Sequence, residues 1–202
     1  MPSETTLYNF NNTPIEPADG ESVESFYVNI PKDHVAMANS GNFIVPPFPP
    51  GIPTFTEPAI QRGLAVLAKV RDGEGEVVGF ASELEVFPED GLDRDDAAWD
   101  THWTIILPGR GTVFLHQIEC TPESAPLIMR PAMETGKDWV GDVTFVTSIG
   151  PLANGRGRIA GGTGEFEKVS GSFVEIARTT KFTAAGEMHL TPIELRLFKE
   201  NV

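Results

Sequence analysis

The side chains of this chain that titrate closest to neutrality are its four histidines, His34, His102, His116 and His189. His102 and His116 fall on two alternating runs separated by Pro108-Gly109-Arg110-Gly111, so a hairpin sets them on adjacent strands, within reach of each other. Metal binding would need two or three converging imidazoles, and a cupin-like centre would show a His-x-His pair with a nearby Glu on one strand. The chain has no such pair, and no metal or cofactor is expected. Each histidine alone also fits a surface position with a single hydrogen bond. Glu119 is a carboxyl that burial would turn into an acid or base working near neutral pH. His102, His116, Glu119 and His189 are therefore the residue-level candidates for proton transfer, with Tyr8, Trp103 and Trp139 as wall or stacking groups.

The elements that would position these groups are strands. Alternation with glycine and proline punctuation dominates, and the helical period is largely missing. Residues 7–10 and 25–30 read as early strands. Residues 62–72 and 76–87 flank Gly73-Glu74-Gly75, and residues 101–107 and 112–120 flank the second glycine turn. Residues 143–149, 157–160, 170–177 and 187–198 complete the set, with Pro192 marking an edge, a bulge or a break. Residues 31–58 read as an irregular arm or lid, because Pro46-Pro47-Phe48-Pro49-Pro50-Gly51-Ile52-Pro53 supplies few ladder donors. Residues 121–140 read as a second irregular insertion. Along 112–120, Phe114, His116, Ile118 and Cys120 share one face and Val113, Leu115, Gln117 and Glu119 the other. Both faces are mixed, so alternation does not assign the inner one. Glu83 and Glu85 pose the same question and also fit solvent-facing strand acids.

Arg156-Gly157-Arg158-Ile159-Ala160-Gly161-Gly162-Thr163-Gly164-Glu165-Phe166 reads as a strand entering a tight glycine turn, with a returning strand that contains Gly171. This segment, together with residues 141–150 and with the hairpin of residues 62–72 and 78–82, resembles the allene oxide cyclase and dirigent protein families. The likeness runs over about residues 60–198, in the same order. It implies a calycin-type closed barrel, frequently oligomeric, whose polar groups act on an apolar substrate at or inside the barrel mouth. The arginine that dirigent proteins carry before the glycine turn corresponds, with a small shift, to Arg156 or Arg158. Asn9 is the counterpart of an allene oxide cyclase asparagine. Where dirigent proteins carry an acid in the first strand, residues 8–12 carry amides.

Composition sets the outer limits. The 202 residues suit one domain spanning 1–202, and 40% hydrophobic content with 20 Gly and 17 Pro suits a turn-rich all-β protein. A net charge of −14 disfavours nucleic acid and anionic membranes as partners. A single cysteine, Cys120, rules out an intrachain disulfide framework and fits a reducing compartment. The first residues are polar, without the apolar core of a leader, so the expected location is the cytoplasm.

About eight antiparallel strands closing into a barrel leave no exposed edge and enclose room for one small ligand. The expectation is an all-β, eight-stranded antiparallel closed barrel that acts as a cofactor-independent isomerase, cyclase or lyase on a hydrophobic small molecule, in the manner of secondary metabolism. It is expected to be a homo-oligomer, a dimer or trimer. A non-catalytic stereo-directing or binding protein is the alternative, and a structural interaction domain a third.

Overall fold

The computed structural model describes residues 15–40, 52–89, 97–120 and 125–200. Its strands are β1 (Glu21–Ile30), β2 (His34–Ser40), β3 (Thr54–Phe55), β4 (Gly63–Arg71), β5 (Val77–Val86), β6 (Trp99–Leu107) and β7 (Gly111–Glu119). A wide helical turn, Ala125–Met129, then leads into the short helix α1 (Arg130–Thr135). The remaining strands are β8 (Trp139–Val146), β9 (Ser148–Gly150), β10 (Gly157–Gly164), β11 (Gly171–Phe182) and β12 (Met188–Glu200).

Eight strands close the barrel in the order β1-β12-β11-β10-β7-β6-β5-β4, with β4 returning to β1. The strand period explains which residues face inward. On β4 the buried side chains are Leu64, Val66, Ala68 and Val70, at every second position. The same alternation on β6, β7 and β12 buries Trp103, Ile105 and Leu107, then Val113 and Leu115, then Ile193, Leu195 and Leu197. Each large apolar side chain withdrawn from water stabilises the fold by roughly 1.5–3 kcal/mol. Together with Phe26, Phe166 and Phe173, these side chains form the apolar core of the interior.

At the β1–β4 seam, Tyr27 pairs with Arg71. The Arg71 guanidinium grips the buried Asp33 carboxylate, with Nε 3.0 and 2.9 Å from its two oxygens and a terminal nitrogen 2.6 Å from Oδ1. The Asn29 backbone and side-chain nitrogens donate to the same group. Burial opposes the charge on Asp33, but these hydrogen bonds and the Arg71 charge hold its carboxyl below the ordinary range.

Several sequence expectations are corrected. Residues 31–58 are not wholly irregular: β2 pairs with β4, and β3 runs parallel to β2. Residues 121–140 contain α1 and the start of β8, which pairs with the far half of β11. The glycines at 161–164 belong to strand β10 and pair with β7, and the turn follows them. Gly162 is required by close approach: a Cβ there would lie 2.5 Å from Phe166 Cβ and 2.6 Å from the Thr112 carbonyl oxygen. The ring of Phe166 thereby seals the apolar end of the barrel, with the Arg110 guanidinium over its face. Pro192 sits in β12 where the register shifts against both β1 and β11, so a bulge accommodates its missing donor. The expected strand at residues 7–10 lies outside the described residues. Among the described residues, no helix is long and apolar enough to cross a membrane.

Candidate functional site

Opposite the apolar end, the inward positions change from aliphatic to polar. β5 contributes Glu83 and Glu85, β6 Trp99, Thr101 and Trp103, β7 Gln117 and Glu119, and β11 Glu175. Cross-strand register sets them in rows. Glu85 faces Thr101, which faces Gln117; Glu83 faces Trp103; Trp99 faces Glu119. At this end β10 no longer lies between β7 and β11, and β9 takes its place, bringing Ser148 opposite Glu119. Gly157 permits the changeover, because a Cβ there would lie 2.3 Å from the Phe173 ring and 2.9 Å from Gln117 Cβ.

Glu175 is the hub. Trp103 Nε1 donates to its Oε2 at 2.8 Å, and Gln117 Nε2 donates to the same oxygen at 2.7 Å. Its backbone N–H donates to Ser148 Oγ at 2.8 Å. Ser148 in turn donates to Gln117 Oε1, and Gln117 Nε2 also donates to Glu119. Glu119 and Glu175 are hydrogen-bonded to each other through their carboxyls. Trp99 Nε1 donates to Glu85 Oε1 at 2.9 Å, and the Phe87 ring tilts against Trp99 at a centroid distance of 5.6 Å.

Among the described residues, no lysine or arginine pairs with these four carboxyls, so protons must offset their mutual repulsion. Burial, followed by the charges of Glu175, Glu85 and Glu83, pushes Glu119 well above the usual carboxylate range. Burial, followed by Glu85 and Glu175, does the same to Glu83. Glu85 is pushed up to about 8 by burial and by Glu175, against the pull of the Trp99 hydrogen bond. Glu175 is raised by burial, but hydrogen bonds from Glu119, Trp103 and Gln117 stabilise its charged form. The pair therefore divides its labour. Both are pushed up, Glu119 the further, so Glu119 holds its proton longest as pH rises and Glu175 is the first of the two to give one up.

Two binding groups in the cluster have no partner. Thr101 is wholly buried between Glu85 and Gln117, and its hydroxyl makes no hydrogen bond. The Glu83 carboxyl makes none to any described residue. The oxygens of Glu83, Glu85 and Glu119 lie within 4.8 Å of one another and would suit a hard cation. A separate trio of Asp100, His102 and His116 offers mixed nitrogen and oxygen ligands outside the barrel.

Of the residues expected from sequence, Glu119 and Trp103 stand in this cluster. His102 and His116 lie on the same strands but on the outer wall, where their rings stack at 4.7 Å, and Arg158 sits exposed beside His116. One-residue parity decides this: on a strand, the neighbour of an inward side chain points outward. Arg156 is also outside the lumen. It is packed 3.8 Å over the Phe198 ring and bonded to Glu21, Ser172 and the Glu16 carbonyl. His189 lies near Glu187, at 3.6 Å, on the extended end of β12. Trp139 packs with Phe182 and Ile128 against α1. Tyr8 and Asn9 fall outside the described residues.

Glu83, Glu85, Thr101, Gln117, Ser148 and Glu175 are the additions. Their signal in the sequence was the pair of x-Glu-x-Glu and Gln-x-Glu spacings on strands that are apolar on both faces. Glu175 was hidden inside the run Phe173-Val174-Glu175-Ile176-Ala177.

The chain matches no protein-family model and no curated protein.

Proposed function

We propose that the protein is a cofactor-independent isomerase, cyclase or lyase acting on a hydrophobic small molecule at the acidic mouth of the barrel. The observation that carries this reading is the Glu119–Glu175 pair, an acid hydrogen-bonded to its base in a dry wall of tryptophan and leucine. Glu175 takes a proton from the substrate while Glu119 gives its own to the substrate oxygen. The two carboxyls then exchange their states through the hydrogen bond they share. The net reaction moves a proton and rearranges bonds without an oxidant or reductant. General acid–base steps of this kind supply about 10²–10⁴ in rate, and holding a flexible apolar substrate in one conformation adds to that.

Half-buried Glu85 forms the solvent side of the cluster, and the dense packing beyond Trp103 confines the substrate to the mouth. Acids, indole rings and a free hydroxyl, with no cation among the described residues, suit a neutral molecule bearing a carbonyl, hydroxyl or epoxide oxygen. The likeness to allene oxide cyclases and dirigent proteins points to the same class of chemistry.

The test is deuterium incorporation in heavy water from a panel of apolar enolisable ketones and epoxides, followed by mass spectrometry. The reading expects exchange or rearrangement by the native protein and its loss in Glu175→Gln. Equal turnover by Glu175→Gln would overturn it. The orphan Thr101 hydroxyl favours a second reading, a non-catalytic stereo-directing or binding protein, since it can anchor a ligand without moving a proton. Saturable binding without any exchange would select that reading.

A further inference from the structure

The outer wall of the barrel carries a second group of chemically competent side chains, remote in role from the lumen acids. His102 on β6 and His116 on β7 are directly opposite in register, their rings 4.7 Å apart between centroids and 16° from parallel. Asp100 lies two residues before His102 on the same face, and its Oδ1 is 3.0 Å from His116 Nε2. One ligand atom from each of the three lies within 4.8 Å of the other two. In a tetrahedral site with metal–nitrogen bonds of 2.0–2.1 Å, neighbouring ligand atoms are about 3.3 Å apart. The Asp100–His116 edge is therefore close to that spacing already. The His102 ring is exposed, and one of its nitrogens already lies within 4.8 Å of the ligand atoms of both.

We propose that Asp100, His102 and His116 form a surface site for a zinc-class divalent transition metal, with the fourth position open to water or to an outside ligand. Two imidazoles and one carboxylate are a donor set suited to zinc, cobalt(II) or copper(II) and poor for calcium or magnesium, which take oxygen. His116 Nδ1 is buried and has no partner, so Nε2, already held toward Asp100, is the nitrogen that a metal would take.

The facing groups are few. Leu84 of β5 lies opposite His102, and Arg158 of β10 lies opposite His116. Arg158 is the one cationic group in register with the trio, and its exposed side chain is free to extend into solvent. A bound ion would pin β6 to β7 on the face opposite the acid cluster.

The experiment is titration of the intact protein with cobalt(II), read by its visible ligand-field bands, followed by displacement with zinc. The expected result is one saturable class of site. His102→Ala and His116→Ala should each weaken it by about 100-fold or more, and Asp100→Asn by about tenfold. Arg158→Ala should tighten binding, while His189→Ala leaves it unchanged. Circular dichroism of the exposed His102→Ala variant confirms that the barrel is intact. Absence of saturable binding, its survival in both histidine variants, or its loss in Glu83→Gln would overturn the proposal.

Discussion

Trp103 and Glu175, three strands apart around the barrel, are joined across the lumen by an indole N–H to carboxylate hydrogen bond of 2.8 Å. Trp103 is therefore both the floor of the polar end and one of the donors that offset the burial raising the Glu175 pKa. Trp103→Phe keeps most of the apolar contact and removes the donor. It should cost about 1–3 kcal/mol in urea unfolding, because a buried acceptor loses a partner. Any activity profile should also shift to higher pH, since Glu175 would then ionise later.

Glu119→Gln and Glu175→Gln separate acid from base. Both substitutions keep the shape of the side chain. Each should reduce turnover by about 10²–10⁴-fold in the exchange assay while leaving ligand affinity within about tenfold. Loss of affinity with unchanged turnover at saturation would assign the pair to binding instead.

Stability should fall as pH rises. The lumen carboxyls have folded-state pKa values above their unfolded ones, so the folded protein holds protons that the unfolded chain releases. For Glu85 that window runs from 4.5 to about 8. Below the window the penalty is absent, and within it the unfolding free energy declines with every step in pH. Glu83→Gln removes one raised carboxyl, so it should flatten the decline and raise the unfolding temperature at about pH 8 by a few degrees, at about 2–4 °C per kcal/mol. Asp33 works in the opposite sense. Its lowered pKa makes stability drop again as pH falls below 3.8 toward its folded value. Thermal melts across pH give both limbs.

The sequence made the barrel legible through period-two alternation and glycine-marked hairpins, and strands β1, β4 to β8 and β10 to β12 overlap the runs that pattern marks. Parity was harder. β7 has apolar residues on both faces because its outer wall also carries Phe114 and Ile118, so nothing local distinguished the Gln117–Glu119 face from the His116 face. Tertiary register settles it by aligning Glu119 with Trp99 and Gln117 with Thr101. Glu175 was illegible for a different reason: a lone acid in an apolar strand gains its meaning from Trp103, 72 positions away in sequence. In sequence the glycines of β10 look like a turn because glycine serves turns and close approaches alike, and only the packing of Phe166 against Gly162 tells the two apart.

Gly162→Ala tests that packing. With a Cβ 2.5 Å from Phe166 Cβ and 2.6 Å from the Thr112 oxygen, both neighbours must give way. A loss of about 1–3 kcal/mol is expected from the overpacking, measured by chemical unfolding. The acid cluster lies at the other end of the barrel and should keep its titration.

Thr101→Val distinguishes a ligand anchor from a structural hydroxyl. The Thr101 oxygen has no partner in the folded protein, so its replacement by a methyl should be neutral or slightly stabilising. Affinity for an oxygen-bearing apolar ligand should nonetheless fall by about tenfold, the loss of a single hydrogen bond.

The most direct test of the account is the protonation of the lumen acids, followed by carbon NMR of protein labelled at the glutamate side-chain carboxyl. The account predicts glutamate resonances that remain protonated at neutral pH, one of which disappears in Glu119→Gln while another shifts in Glu175→Gln. Glutamates that all titrate together in the ordinary carboxylate range would contradict it.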